Sequence, residues 1–293
     1  MDIIEISTTL MKISLVVFMA GNLMDMGLRL NPAEALRGLK DSRFVVYTLV
    51  WSFIIGPALA YVITLIIPLE SPYALGLILL GMAPCAPFVP LFVGRAKGDL
   101  GYTAAFMLLV AVGTIVFMPL AVPVMLKGLS VSAWAIARPL IIMILIPLVI
   151  GMIILKKSPS FATKLQPIVK KITGLFTILT FVFIAIVYGE GMLSIGGSFA
   201  VASQVIFYGI IMAFSYWFSF GLQHPQKIIL SIGLSTRNLG AAIAPLFSVA
   251  TSDQRAFIMV VLALPIMIVF ALLSVKLFGK VSPAVDSSTS TSV

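Results

Sequence analysis

The chain of 293 residues has one cysteine, one histidine and only ten acidic side chains. A lone Cys85 excludes an intramolecular disulfide framework, and a lone His224 excludes a histidine-rich metal site. Charged residues make up 10% of the chain, where a soluble domain carries about a quarter, so there is too little polar surface for a water-soluble protein. There is no phosphate-binding glycine loop, no pair of catalytic carboxylates and no nucleophile beside a base. These absences argue against an enzyme, an intramembrane one included. No stretch between the apolar runs accommodates the nucleotide domain of an ATP-driven pump. The net charge of +9 comes from bases scattered along the chain, not from a nucleic-acid-binding cluster.

What is present is apolar: 61% of the residues are hydrophobic. A helix needs about 20 apolar residues to span a bilayer. Nine such runs are read at 8–29, 42–68, 73–96, 101–126, 134–156, 168–188, 199–221, 226–249 and 254–279. The first does not read as a cleaved signal, because Asp2 and Glu5 precede it where bases are expected. Asn31–Lys40 reads as a short surface helix with Pro32 at its start. The Ser/Thr-rich tail 281–293 reads as disordered, and residues 1–280 as one polytopic domain.

The bases set the orientation. With the N-terminus outside, the inner segments hold 14 bases and the outer ones three, Lys127, Arg138 and Arg255. The positive-inside rule therefore predicts the N-terminus out and the C-terminus in. Modest length and few cysteines point to a bacterial inner membrane, and the only partners read from composition are the lipid bilayer and a small-molecule substrate.

Two runs cannot be uninterrupted helices. Pro84, Pro87 and Pro90 fall in the middle of the third, and proline removes a backbone donor and clashes with the preceding turn. The eighth is interrupted by SIGLSTRNLG, residues 231–240. Spans 1–4 start outside and spans 6–9 inside, so the third and eighth occupy matching positions of inverted halves, roughly 8–126 and 134–279. Paired interruptions of this kind mark the binding site of secondary transporters. Arg237 lies in the second interruption. An arginine at a helix centre costs about 2.5–3.5 kcal/mol on insertion scales, so it should face a cavity or a partner. Asp25, the acid clearly inside a span, is a poor match in depth. The other partners open to it are freed carbonyls of the third run and an anionic substrate, since guanidinium binds carboxylate, sulfonate or phosphate through a bidentate fork. Ser235, Thr236 and Asn238 can hydrogen-bond a ligand or cap the half-helices.

At these residues the sequence resembles the bile acid:sodium symporter family. MDMGLRLNP (24–32) is similar to the family's MGLxLxP run, the segment 79–99 to its LxxCCPGGxxSNxxTxLAxGN crossing helix, and SIGLSTRNLG to its ExGMQNSG helix. The resemblance implies an all-α transporter with a panel domain (spans 1, 5 and 6) and a core domain (spans 2–4 and 7–9) in which the broken helices cross. It also implies a substrate cleft beside the crossing, with Pro87, Pro90, Ser235, Thr236, Arg237 and Asn238 against an organic anion and Met107 and Phe88 lining the cleft. The family's sodium ligands are largely replaced: Gly233 stands at a glutamate position, Arg237 at a glutamine, and Val89 and Pro90 at a Ser-Asn pair. Only Ser52, Thr103, Asn238 and carbonyls keep oxygens for an ion, and Arg237 would repel one. The usual sodium sites are therefore expected to be absent or altered, with Na⁺, H⁺ or no ion as the coupling partner and no other cofactor. A second resemblance, to arsenite efflux permeases, rests on Cys85, since a thiolate suits a soft metalloid.

Overall fold

The computed structural model describes residues 3–30, 32–125, 132–193, 195–248 and 253–279. The helices are α1 (Ile3–Arg29), α2 (Pro32–Lys40), α3 (Ser42–Ile66), α4 (Ser71–Met82), α5 (Val89–Arg95), α6 (Leu100–Met125), α7 (Ala133–Lys157), α8 (Pro159–Leu193), α9 (Ala200–Trp217), α10 (His224–Leu234), α11 (Leu239–Ser248) and α12 (Gln254–Phe278). No strand of a sheet occurs among the described residues. Seven of these helices, α1, α3, α6, α7, α8, α9 and α12, are long and apolar enough to cross a membrane. Their outer faces carry exposed side chains such as Ile54, Leu120 and Ile178. A helix satisfies its own backbone polar groups, which is why a chain facing lipid takes this form. The protein is an all-α membrane protein.

The two proline- and polar-interrupted runs are the ones that break. The third expected run is α4 and α5, separated by residues 83–88; the eighth is α10 and α11, separated by 235–238. Two other prolines are absorbed without a break. Pro57 and Pro147 each follow one wide turn with i→i+5 bonding, at Trp51–Ile55 and Ile141–Leu145, which accommodates the missing donor. One boundary differs from the sequence reading. The segment 157–167 is no loose connector: only Ser158 interrupts the helical path, and α8 begins at Pro159, where the ring's fixed φ suits the first turn of a helix. The expected tail at 281–293 lies outside the described residues.

α1, α7 and α8 pack side by side as one wall. α1 and α7 approach backbone to backbone: a Cβ on Gly27 would lie 2.4 Å from the Leu148 carbonyl, and one on Gly151 2.6 Å from that of Met24. The remaining helices form a second body, with α4 against α3 and α12, and α10 against α9 and α12. At the basic end, Asp41 gathers three helices. It caps α3 through the Phe44 N–H (3.1 Å) and accepts from Tyr102 of α6 (3.1 Å) and Gln226 of α10 (2.9 Å). α2 lies at this end too, its Arg37 paired with Asp99 and its Gly38 against Tyr102 and Ala105. At the opposite end Arg255 pairs with Glu70 and Asp253.

Candidate functional site

The two interruptions meet. Residues 83–86 and 236–238 run antiparallel as a single-residue bridge between Pro84 and Arg237, in which the Cys85 N–H donates to the Thr236 carbonyl (3.0 Å) and the Asn238 N–H to the Ala83 carbonyl (2.9 Å). Unwound backbone inside a membrane protein must find partners, and each interruption supplies them to the other. Side chains complete the join. Thr236 Oγ1 accepts from the Ala86 N–H (3.2 Å) and donates to the Gly233 carbonyl at the end of α10 (3.0 Å). Ser235 Oγ donates to the Ile232 carbonyl (3.1 Å), and Asn238 Oδ1 accepts from the Ala241 N–H (3.1 Å), capping α11. Of the two roles the sequence leaves open for Ser235, Thr236 and Asn238, capping is the one this geometry displays.

Arg237 has 0% exposed surface. Its Nη1 donates to the Gly81 carbonyl (3.4 Å), one of the last carbonyls of α4, left without an intrahelical donor because the Cys85 N–H has turned to Thr236. Its guanidinium lies over the Phe207 ring of α9, 4.8 Å from the centroid, and its backbone N–H donates to Met267 Sδ of α12 (3.3 Å). It makes no ion pair among the described residues, and Nε and Nη2 have no hydrogen-bond partner there. The charge is therefore held inside the second body, not on a cavity wall.

Three cavities lie on the basic side of the crossing, between the α1/α8 wall and α5/α6, apart from two others, one along Tyr61, Ser71 and Val124 and one along Ile195, Phe199 and Leu262. One of about 470 Å³ has Asn22, Asp25 and Arg29 of α1 and Lys170, Thr173 and Thr177 of α8 on one side, with Pro87, Phe88, Pro90 and Leu91 on the other. A second, of about 220 Å³, shares Arg29, Pro90 and Leu100 with it and adds Met26, Thr103 and Met107. A third, of about 20 Å³, reaches the crossing at Pro84, Cys85, Pro87 and Asn238. Together they form one cleft leading from the basic end to the crossing, of a size that suits a small organic ligand. Among the residues singled out from the sequence, Pro87, Pro90 and Asn238 line it, as do Thr103, Met107, Phe88 and Cys85. Ser235, Thr236 and Arg237 are fully buried behind it. Ser52 is also fully buried, in the wide turn of α3, so of the expected oxygen set Thr103 and Asn238 line the cleft and Ser52 does not. Cys85, held at φ 70°, places its Sγ 3.6 Å from the Ala86 carbonyl.

The wall side of the cleft was not read from the sequence. Asn22, Asp25 and Arg29 share one face of α1, and Gln166, Lys170, Thr173 and Thr177 one face of α8, at helical spacing. Asp25 pairs with Arg29 and accepts from Gln166 Nε2 (2.7 Å), tying the two faces together. Lys170 makes no ion pair among the described residues. Polar residues recurring every three or four positions along an apolar helix were the available signal. Away from the basic end the wall and the second body touch: Tyr188 stacks on Phe257 with centroids 6.0 Å apart, a Cβ on Gly191 would lie 2.5 Å from Ile258, and one on Gly240 2.3 Å from Met19.

Comparison with curated proteins gives no match for this chain. The sequence profile of the sodium bile acid symporter family does match, over residues 15–195. That stretch includes α1 from Leu15 onward and all of α8, which wall the cleft, and the first of the two interruptions; the second lies beyond it. Because the match takes in more than half of the chain, this protein belongs to the sodium bile acid symporter family, whose members are membrane transporters.

Proposed function

We propose that the protein is a secondary transporter of a small organic anion, one that carries a carboxylate or sulfonate on an apolar body. The observation that carries this reading is the chemistry of the cleft. Its wall side presents Arg29 and Lys170 against the single carboxylate of Asp25, with Met26 beside them, and its other side presents Phe88, Leu91, Leu100 and Met107. A net positive, half-apolar cleft fits an amphipathic anion. The head group meets Lys170 and the Asp25–Arg29 pair, while the body lies against Pro87, Pro90 and Asn238 at the crossing. Ser235, Thr236 and Arg237 act from behind, by fixing the crossing to which Asn238 and Pro87 belong.

The bases orient the cleft toward the cytoplasm, with the N-terminus outside and the contacts of Tyr188, Gly191 and Met19 closing the outer side. This is the inward-facing half of an alternating-access cycle, in which the α1/α7/α8 wall and the crossing body move against each other. The two broken helices complete nine passes in two inverted repeats. The expected host is a cell's inner or plasma membrane.

Flux into proteoliposomes tests the reading. Wild-type protein should transport some members of a panel of labelled carboxylates and sulfonates, taurocholate among them, saturably and in preference to neutral analogues. Transport of arsenite in place of every organic anion would move the assignment to metalloid efflux through Cys85, and flux of neither would overturn it.

A further inference from the structure

The crossing is a place where negative ends of helices gather. α4 ends at Met82 and α10 at Leu234, so two carbonyl termini point into one small buried region. Each terminus carries roughly half a negative charge. Helix ends of the opposite sign start at the same interruptions, α5 at Val89 and α11 at Leu239, and Ser235 and Thr236 already occupy the Ile232 and Gly233 carbonyls of α10, so an acceptor left for a cation, an exchangeable one such as Na⁺ included, is the Gly81 carbonyl of α4. Here the charge is covalent. Arg237 is fully buried, donates to the Gly81 carbonyl at the end of α4, sits over the Phe207 ring and belongs to the strand that bridges Pro84. It has no acidic partner among the described residues, so its charge is balanced by carbonyl dipoles and by the π face of Phe207. A second cation in the same region would meet an unscreened like charge.

We infer that Arg237 is the resident cation of the crossing, a positioning residue that makes assembly of the site independent of sodium. The consequence for coupling rests on the transporter reading given above: the anion moves by exchange, down its own gradient or with H⁺, without a sodium ion bound at the crossing. The inference about the crossing itself can be tested with no substrate, so its failure is distinguishable from failure of the transport assignment.

The test is thermal unfolding of the purified full-length protein in NaCl, KCl and choline chloride at equal ionic strength. Wild type should give the same midpoint in all three. Arg237→Gly should unfold earlier in choline, and Na⁺ or about 10 mM guanidinium ion should recover roughly 5 °C, because a ligand that binds only the folded state raises the midpoint. Arg237→Lys, which keeps a charge, should remain indifferent to the salt. A merely structural arginine would give a loss that no cation restores. The inference is overturned if Na⁺ stabilises wild type over K⁺ and choline, or if Arg237→Gly matches wild type in every salt. It is also overturned if neither Na⁺ nor guanidinium raises the variant. The wild-type comparison decides even where Arg237→Gly fails to fold.

Discussion

Cys85 sits at φ 70°, in the left-handed region where a side chain normally costs about 1–2 kcal/mol. It holds that conformation because its N–H is bound to Thr236 and its neighbour Ala86 to the Thr236 hydroxyl. Glycine suits the same backbone without strain. Cys85→Gly is therefore expected to fold at least as stably as wild type, with the strain it relieves partly offset by the flexibility it adds to the unfolded chain. Denaturant or thermal unfolding measures this, and organic-anion flux should survive the change. Loss of flux would mean that the thiol contacts the cargo. The same residue marks how far a sequence can be read. Three prolines in one apolar run and STRN in another announce breaks, but not that the broken strands pair with each other. Depth in a span announces that Arg237 needs a partner, but not which way its side chain turns. A substrate and a freed carbonyl are equally good answers until Gly81 is placed beside it. Lys170 lies in the basic stretch that opens α8, where it reads as a topology signal, and Gln166 beside it carries no signal of its own. Only the packing of α8 on α1 shows that Lys170 lines a cleft and that Gln166 meets Asp25.

Among elements, α8 would connect the two faces of the proposed transport cycle. Its Lys170 end lines the cleft and its Tyr188 end rests on α12. If wall and crossing body move apart at the Tyr188 end to admit substrate from outside, pinning α8 to α12 must stop turnover. In a Cys85→Gly background, which is free of thiols, Gly191→Cys with Ile258→Cys should cross-link with a short bifunctional thiol reagent and lose flux, and reduction of a cleavable reagent should restore it. Cross-linking without loss of flux would contradict a moving α8–α12 contact. The basic end behaves differently, because Asp41 binds α3, α6 and α10 into one unit. Partial burial on its own would raise the Asp41 carboxyl. Hydrogen bonds from the Phe44 N–H, Tyr102 and Gln226 outweigh that effect and hold it below its ordinary 3.8. A lowered value in the folded state means stabilisation that is complete above pH 3.8 and is lost as the pH falls below it toward the folded value. Asp41→Asn should thus cost about 1 kcal/mol near neutral pH, and its gap from wild type should narrow in acid. A gap that stays constant down to the lowest pH at which the protein folds would show that ionised Asp41 does not hold the three helices. The existence of α3, α6 and α10 is legible from apolar runs alone. Their fastening at a single carboxylate is not, because Asp41, Tyr102 and Gln226 are far apart in the chain.

For the whole molecule, composition already dictates a membrane protein. The seven long helices and two broken ones follow from where prolines and polar residues interrupt apolar runs. What composition cannot give is the division into wall and crossing body, since both are equally apolar. That division depends on close approaches such as Gly27 with Gly151, and on the polar stripe of α1 and α8. The account holds that this stripe receives the head group of an organic anion. Lys170 is its most direct test, because it lines the cleft, makes no ion pair among the described residues and lies away from the packed crossing. The measurement is the concentration dependence of anion uptake into proteoliposomes, for wild type and Lys170→Gln at matched protein orientation. Lys170→Gln should raise KM roughly five- to tenfold with the maximal rate nearly unchanged, as expected for loss of about 1 kcal/mol of charge contact in a partly solvated cleft. An unchanged KM would place the anion elsewhere and contradict the account.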